Sequence, residues 1–324
     1  MSVTAKLLVT VALIVLSMAG GYLARRYGLL RERVAGWLMI VVAVFGYPLV
    51  GFLSIWATPL GGAEFWLTSQ AVVHMAVMTA IGLGVGRLLT RDRGESGLFG
   101  IASAIGNNGF TMGGFIVYLL YGETGLGLAN IYFLLFGPAV IVMHYPIARH
   151  YSTERPGGSL GRLLLRSIFD WRSVGLPMTV VAIWLSMAGV PRPAAIGEYG
   201  VLDVLMFTLT PIAYFAIGLR LHATYVVKTW RMVLALAGIR FLAGAAVGLG
   251  LLALTALTPW PLRWGTLPVN VCLIESFVPM AVTVVAIANM FHLKPREASL
   301  LFVANTLMYL VLVLPLVMWV FGGR

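Results

Sequence analysis

Glu275 and Pro279 stand four residues apart in the otherwise apolar segment VCLIESFVP, residues 271–279. A charged side chain inside a membrane is costly, and one that is present there usually has a function. Pro279 lacks the amide that would bond the carbonyl of Glu275 in a helix. We expect this carbonyl and the Glu275 side chain to face one site, with Ser276 and Thr283 beside them. Glu275 would there neutralise a sodium ion or carry a proton; the alternative is a permanently neutral, hydrogen-bonded Glu.

A second polar interruption, GNNGFTMGG at residues 106–114, breaks another apolar segment half a chain earlier. Asn107 and Asn108 offer amide donors and acceptors, and Gly109 permits the chain to unwind. Unwound carbonyls can hold a cation, while the N-terminus of the following half-helix favours an anion. Close helix packing is the alternative explanation for the small residues. We predict substrate contacts from Asn107, Asn108 and Gly109, and ion contacts from Asn108 and Thr111.

Further polar or helix-breaking residues are candidates for the same site. Pro279 and Met280 at the second break, with Ser276, are predicted to bind substrate, and Thr283 to join Glu275 at the ion. Asn130 and Tyr132, early in the following apolar segment, are predicted to line the cavity.

Three charged or titratable residues inside apolar segments have open roles. Arg240 can pair with Glu275, counter an anionic substrate, or extend to the membrane interface. His74 and His144 can relay protons or hydrogen-bond between helices. Asn305 is a candidate for a cavity position symmetric to that of Asn130.

Composition places these residues in a polytopic all-α membrane protein. Of 324 residues, 60% are hydrophobic and 10% charged, and the mean hydropathy is +0.96, so a soluble domain is excluded. The net charge of +11 comes from residues in short loops, which argues against a nucleic-acid partner. The single cysteine, Cys272, leaves neither disulfides nor a cysteine metal cluster, and no enzyme signature is present. We therefore expect no metal site and no tightly bound cofactor, with Na⁺ or H⁺ as the coupling ion and the lipid bilayer as a partner.

The apolar segments predict ten membrane spans, because about 20 residues cross a core of roughly 30 Å. They cover residues 7–24, 34–56, 66–88, 96–121, 125–148, 173–190, 200–220, 230–257, 266–291 and 298–321. With this count, 17 of the 22 Lys and Arg residues fall on one side of the membrane, four on the other, and Arg240 inside a span. The positive-inside rule then puts both termini outside the cytoplasm of a cell (inner) membrane protein.

The loop 152–172 divides the chain into two halves of five spans each, 1–151 and 173–324. Because five is odd, the second half must enter the membrane inverted relative to the first. Two inverted repeats, with the broken fourth and ninth spans in corresponding places, are typical of secondary transporters with a midplane site.

The two broken regions resemble the auxin efflux carrier family, which includes plant PIN carriers and bacterial dicarboxylate permeases. The resemblance rests on GNNGFTMGGFIVYLLYGETGLGLANIYFLL in the first half and ESFVPMAVTVVAIANMFHLKPREASLLFVANTLMYLVLVLPL in the second. It implies a scaffold domain (spans 1, 2, 6 and 7), a transport domain (spans 3–5 and 8–10), crossed broken helices 4 and 9, elevator-like motion and a homodimer. Asn107 or Asn108 matches the family's first crossing, and Pro279 its second crossover proline.

The chain departs from the family pattern at two positions. Gly114 or Phe115 stands where the first crossover proline is expected, and Glu275 replaces a usually small, apolar residue. Glu275 is similar to the sodium-binding Glu in the ninth helix of the related bile acid–sodium symporters. We predict a secondary transporter of a small organic anion, with a bile-acid-type sodium symporter, or a non-transporting membrane receptor or lipid sensor, as alternatives.

Overall fold

The fold is known from a computed structural model, which describes residues 3–61, 63–109, 111–152, 174–220, 230–255, 257 and 266–322. The described residues are helical apart from their connections and one isolated bridge. The helices are α1 (Val3–Arg26), α2 (Arg33–Ala57), α3 (Trp66–Leu89), α4 (Arg93–Ala104), α5 (Gly113–Tyr132), α6 (136–151), α7 (Gly175–Met187), α8 (Ala194–Glu198), α9 (Val201–Leu219), α10 (Trp230–Thr255), α11 (Leu267–Ser276), α12 (Val282–Met290) and α13 (Pro295–Gly322).

Seven of the described helical stretches are long and apolar enough to cross a membrane. They are α1, α2, α3, the stretch formed by α5 and α6, α9, α10 and α13. The predicted fourth and ninth spans are each divided, into α4 and the start of α5 and into α11 and α12. The predicted sixth span contains the 13-residue α7, and nearly all of the predicted loop 152–172 lies outside the described residues. The chain is thus a multi-pass α-helical membrane protein.

The start of α4 follows directly from its sequence. Asp92 is the N-cap, and its side chain accepts a hydrogen bond from the backbone of Glu95 at 2.9 Å. Lys294, which precedes α13, donates to Asp92 Oδ2 at 2.7 Å. This hydrogen bond lowers the pKa of Asp92 and raises that of Lys294. Two loops that are about 200 residues apart in the sequence are therefore joined at the beginnings of α4 and α13.

The two interruptions predicted from the sequence lie against each other. Helix α4 ends at Ala104 and α5 begins at Gly113, while α11 ends at Ser276 and α12 begins at Val282. Between them, Gly106 and Met280 form an antiparallel bridge. Asn107 N donates to Pro279 O at 2.7 Å, and Ala281 N donates to Ile105 O at 2.9 Å. The backbone groups of the two non-helical segments thus form hydrogen bonds with each other, as buried backbone inside a membrane requires. We call residues 105–109, 111, 112 and 277–281 together the crossing.

Helix α5 is sharply kinked at Gly122, directly after residue 121, where the predicted fourth span ends. Gly122 has φ 66° and ψ −154°, a conformation that L side chains rarely adopt. The end of the predicted fourth span and the start of the fifth therefore follow each other with no intervening loop. Just beyond the kink, Glu123 forms an ion pair with Arg192 at 2.5 Å, and Arg192 also donates to Leu53 O. The kink is thereby joined to α2 and to the segment after α7.

Close helix contacts depend on glycine where two backbones meet. In the contact of α1 with α9, a Cβ on Gly218 would collide with the carbonyl oxygen of Met18, and one on Gly21 with that of Phe215. Helix α2 packs against α7 and α5, and α3 packs along α4. The largest buried cluster contains side chains from α3 to α6 and from α10 to α13, and the crossing lies within it.

Candidate functional site

A small cavity of about 20 Å³ lies beside the crossing. Its polar lining consists of His74 from α3, Asn108 from the first break, Tyr132 from α5, Arg240 from α10 and Glu275 from α11. Apolar residues complete the wall: Ala71, Val72, Met75, Ala104, Phe133 and Phe136. A cavity of this size holds about one water molecule. The first break and the helices α3, α5, α10 and α11 therefore direct one acidic, one basic and three further polar side chains at one space.

Glu275 is buried, with only 1% of its surface exposed. Asn108 Nδ2 donates to Glu275 Oε2 at 3.0 Å and to its backbone carbonyl at 2.6 Å. In an unbroken helix the donor to this carbonyl would be at position 279, where Pro279 has none. Glu275 Oε1 has no hydrogen-bond partner among the described residues. An ionised carboxylate with a single donor is poorly compensated at such a depth, so Oε1 is the natural place for a proton or a cation.

The carboxylate of Glu275 rests against the first turn of α5. A Cβ built on Gly113 would lie 2.6 Å from Glu275 Cδ and 2.7 Å from Oε1, and nearer still to Oε2. Only glycine therefore leaves space for this side chain at the N-terminus of α5, the positive end of the helix dipole. Glycine serves a similar purpose on α10, because a Cβ at Gly244 or Gly248 would overlap Ser276. Ser276 Oγ itself donates to Cys272 O at 2.7 Å.

Arg240 joins the C-terminal end of α4 to the second break. It is 1% exposed and lies in a π-helical segment of α10, Gly238–Ala243. Its Nε donates to Val278 O at 3.0 Å, and its Nη2 donates to the same oxygen. Its Nη1 donates to Ser103 O at 3.1 Å and to Ala104 O at 3.3 Å. A cation at the C-terminus of α4 is favoured by the helix dipole, so Arg240 stabilises this end of α4 and the second break.

These contacts bear on two of the three interpretations of Arg240. The near-complete burial of the side chain shows that it does not extend to the membrane interface. Its described hydrogen bonds all go to carbonyls, and no ion pair joins it to Glu275 in the described part of the chain. Its charge nevertheless lines the same cavity as that of Glu275.

The remaining predicted residues of the crossing hold its backbone. Thr111 Oγ1 donates to Asn107 Oδ1 at 2.5 Å, within the first break. The carbonyl of Gly109 accepts from the backbone of residues 112 and 114. In the second break, Met280 N donates to Asn305 Oδ1 at 2.8 Å, while Pro279 O accepts from Asn107. Asn305 thus supports the crossing from α13.

Other predicted residues lie away from the cavity. Asn130 donates to Ser54 Oγ and to Leu126 O, both at 2.9 Å, at the contact of α2 with α5. Thr283 is half-buried in the first turn of α12, and none of the hydrogen bonds found in the described ranges joins it to Glu275. His144 is fully buried and bonded to Thr79 Oγ1 at 3.0 Å, between α6 and α3. The geometry of His144 is that of a helix-to-helix hydrogen bond.

Sequence reasoning left His74 undecided and did not consider Tyr309 for the site. His74 Nε2 is 3.0 Å from Gly244 O, so this nitrogen carries the proton, and the ring borders the cavity. Tyr309 is fully buried, and its hydroxyl has no hydrogen-bond partner among the described residues, although Glu275 and Arg240 both act on it electrostatically. The signal that could have found it is a polar side chain four residues after Asn305 on the same helix.

A comparison with protein families gives one informative match. Residues 6–155 match the model of a family described as "Membrane transport protein", which is the family of the PIN auxin efflux carriers. A search of curated proteins found no significant match. The matched range covers α1 to α6 and includes the first break with Asn107 and Asn108. Over residues 6–155, therefore, the chain is similar to the membrane transport proteins of the auxin efflux carrier family.

Proposed function

We propose that the protein is a secondary active transporter of a small organic anion. It works by alternating access around the crossing, through an elevator-like motion coupled to H⁺ or Na⁺. One observation carries the proposal: Glu275 lies buried with a free Oε1 where two broken helices meet, and Arg240 lines the same cavity. A fixed positive charge suits an anion, and a buried acid with an unpaired oxygen suits a coupling cation.

The architecture that goes with this proposal is the ten-span inverted repeat. Seven long helices plus two divided spans and α7 supply enough segments for it. Under the proposal α1, α2, α7 and α9 form the scaffold domain, and α3 to α6 with α10 to α13 form the transport domain of a homodimer. The protein lies in the cell (inner) membrane with both termini outside the cytoplasm, as the loop charges predict.

Glu275 also favours a second candidate, a sodium symporter of the bile acid type. The two candidates share the crossing and differ in the size of the substrate, and the second is restricted to sodium as its coupling ion. The cavity of about 20 Å³ leaves no space for an organic substrate in the described conformation. Either substrate must therefore enter a more open state, which is what alternating access requires.

Ligand-dependent stabilisation of the purified protein tests the proposal. A panel of monocarboxylates, dicarboxylates and a bile acid is screened for a rise in the thermal unfolding midpoint, at several pH values and with sodium or potassium. Active compounds are then tested for counterflow in proteoliposomes. We expect at least one anion to give both effects, and Glu275→Gln to abolish their dependence on pH or sodium. The absence of stabilisation and counterflow, or a Glu275→Gln protein with unchanged ion responses, would contradict the proposed role.

A further inference from the structure

The cavity contains two formal charges of opposite sign that are not in contact. Arg240 contributes a permanent positive charge, and Glu275 a negative charge that a proton can remove. Asn108 lies between them. Its Nδ2 donates to Glu275, and a Cβ built on Gly106 would collide with both Asn108 Oδ1 and Arg240 Nη2, so these two atoms both lie close to Gly106. The pair is therefore balanced across the cavity rather than neutralised by a salt bridge.

Few other groups can change the charge of this cavity. Among the described residues, the titratable groups that interact with Glu275 are Tyr132 from α5, Tyr309 from α13 and Cys272 on the same helix. His74, from α3, lines the same cavity and interacts electrostatically with Arg240. Among these four, only His74 ordinarily changes its charge close to neutral pH.

Resting on the proposed function, we propose that Glu275 and Arg240 couple one proton to the anion by charge balance. When Glu275 takes a proton on Oε1, the cavity keeps the single positive charge of Arg240, and an anion that enters restores neutrality. When Glu275 is ionised, the cavity is already neutral and an anion is opposed by the carboxylate. Because charges interact strongly in a poorly solvated interior, the proton and the anion must enter and leave together.

A proton fits this site better than a metal cation. The space beside Oε1 holds about one water, and the guanidinium of Arg240 borders the same space. A sodium ion would bring a second positive charge close to Arg240 and would need several oxygen ligands. A proton needs only a lone pair of Oε1, which has no partner among the described residues.

Cys272 offers a test that does not require the substrate to be known. It is the only cysteine of the chain, it is 1% exposed, and it precedes Glu275 by one helical turn on α11. Three methanethiosulfonate reagents are applied to the purified protein: an anionic sulfonatoethyl, a cationic trimethylammonium-ethyl and a neutral methyl compound. The ratio of the anionic to the cationic rate reports the charge near Cys272, since access and the fraction of thiolate affect both reagents equally.

We expect the wild-type ratio to rise as the pH falls. In Glu275→Gln, which keeps the shape of the side chain, the ratio should be independent of pH. It should exceed the wild-type ratio at high pH on the order of tenfold, as expected for the loss of one negative charge at close range. The matched control Glu297→Gln removes an acid at the start of α13 and should follow the wild type. The wild-type pH series tests the proposal even if Glu275→Gln folds poorly.

Three results would overturn the inference. The first is a wild-type ratio that does not change with pH, or that Glu275→Gln leaves unchanged. The second is a pH dependence that persists in Glu275→Gln, which would assign the titration to His74. The third is a wild-type ratio that responds to sodium at fixed pH, which would make sodium the coupling ion. If even the neutral reagent fails to modify Cys272 in folded protein, the crossing does not open to water, and the proposed alternating access itself fails.

Discussion

Gly113→Ala is the most direct test of how Glu275 is positioned. The added Cβ would lie 2.6 Å from Glu275 Cδ and 2.7 Å from Oε1, far inside van der Waals contact. Overpacking of this kind costs about 1–3 kcal/mol, while replacing a helical Gly with Ala returns about 0.5–1 kcal/mol. We expect Gly113→Ala to lower the free energy of unfolding by about 1–2 kcal/mol and to displace the carboxylate from Asn108.

The neighbouring Gly114 provides a matched control on the same turn. A Cβ there would meet Gly109 at 3.4 Å and Leu126 at 3.5 Å, which are ordinary contacts. Gly114→Ala should therefore be neutral or slightly stabilising. The free energy of unfolding is measured in mild detergent by denaturant titration. Each alanine variant is measured alone and in combination with Glu275→Asp. The shorter acid should relieve Gly113→Ala but not Gly114→Ala, a coupling that a double-mutant cycle isolates. Equal stabilities for the two alanine variants, or the absence of coupling to Glu275→Asp, would refute the proposed contact.

Three further predictions concern other parts of the fold. In Arg240→Lys, the ammonium group lacks the planar fork of the guanidinium and cannot bind the carbonyls of α4 and of the second break together. This variant should lower the free energy of unfolding by about 3 kcal/mol. Gly218→Ala, whose Cβ would collide with the backbone of Met18, should cost about 3 kcal/mol by separating α1 from α9, measured by the same titration. The Asp92–Lys294 pair should give a pH-dependent contribution to stability. The pKa of Asp92 is lowered in the folded state. The stabilisation from Asp92 is therefore present at pH values above its unfolded-state pKa and is lost as the pH falls through its folded-state pKa. The pKa of Lys294 is raised in the folded state. The stabilisation from Lys294 is therefore present at pH values below its unfolded-state pKa and is lost as the pH rises through its folded-state pKa.

Controls for these predictions come from nearby positions. Arg231→Lys changes an exposed arginine at the start of α10 and should have little effect. Gly20→Ala adds a Cβ on α1 that meets only the ring of Phe215, at 3.7 Å, and should be tolerated. Lys294→Gln should remove the acid-side and base-side pH dependence together. A pH dependence of the free energy of unfolding that is unchanged in Lys294→Gln would contradict the prediction for the Asp92–Lys294 pair. An Arg240→Lys protein as stable as Arg231→Lys would contradict the prediction for Arg240.

The positions of the two breaks could be predicted because their causes are local. Asn107, Asn108 and Gly109 disfavour a continuous helix, and Pro279 removes a helical donor regardless of the tertiary structure. The membrane class follows equally directly from composition, because a chain with so few charged residues cannot form a polar surface and is not stable in water outside a bilayer. The partnership of Asn108 with Glu275 was expected only in outline, since both were assigned to one site without a defined contact.

The remaining features depend on which atoms meet in space, and hydropathy does not encode this. Arg240 looks alike in sequence whether it binds an acid, a substrate or backbone carbonyls; only the fold shows that carbonyls of α4 and of the second break are its acceptors. Asn130 was predicted at the cavity from its place in the span, but its rotation about α5 directs it to Ser54. The break between the fourth and fifth spans was predicted at residues 122–124, but not its form, because a glycine followed by polar residues fits a short loop as well as a kink within one helix.

The bonds from Arg240 to Ser103, Ala104 and Val278 have a consequence for biosynthesis. Membrane proteins are inserted from the N-terminus onward as they are synthesised. The carbonyls at the end of α4 therefore enter the bilayer well over a hundred residues before their donor on α10 exists, and the strand-like partner of the first break arrives later still. The first half cannot complete its own break, so the nascent chain must hold these polar groups near water or the insertion machinery until the second half arrives.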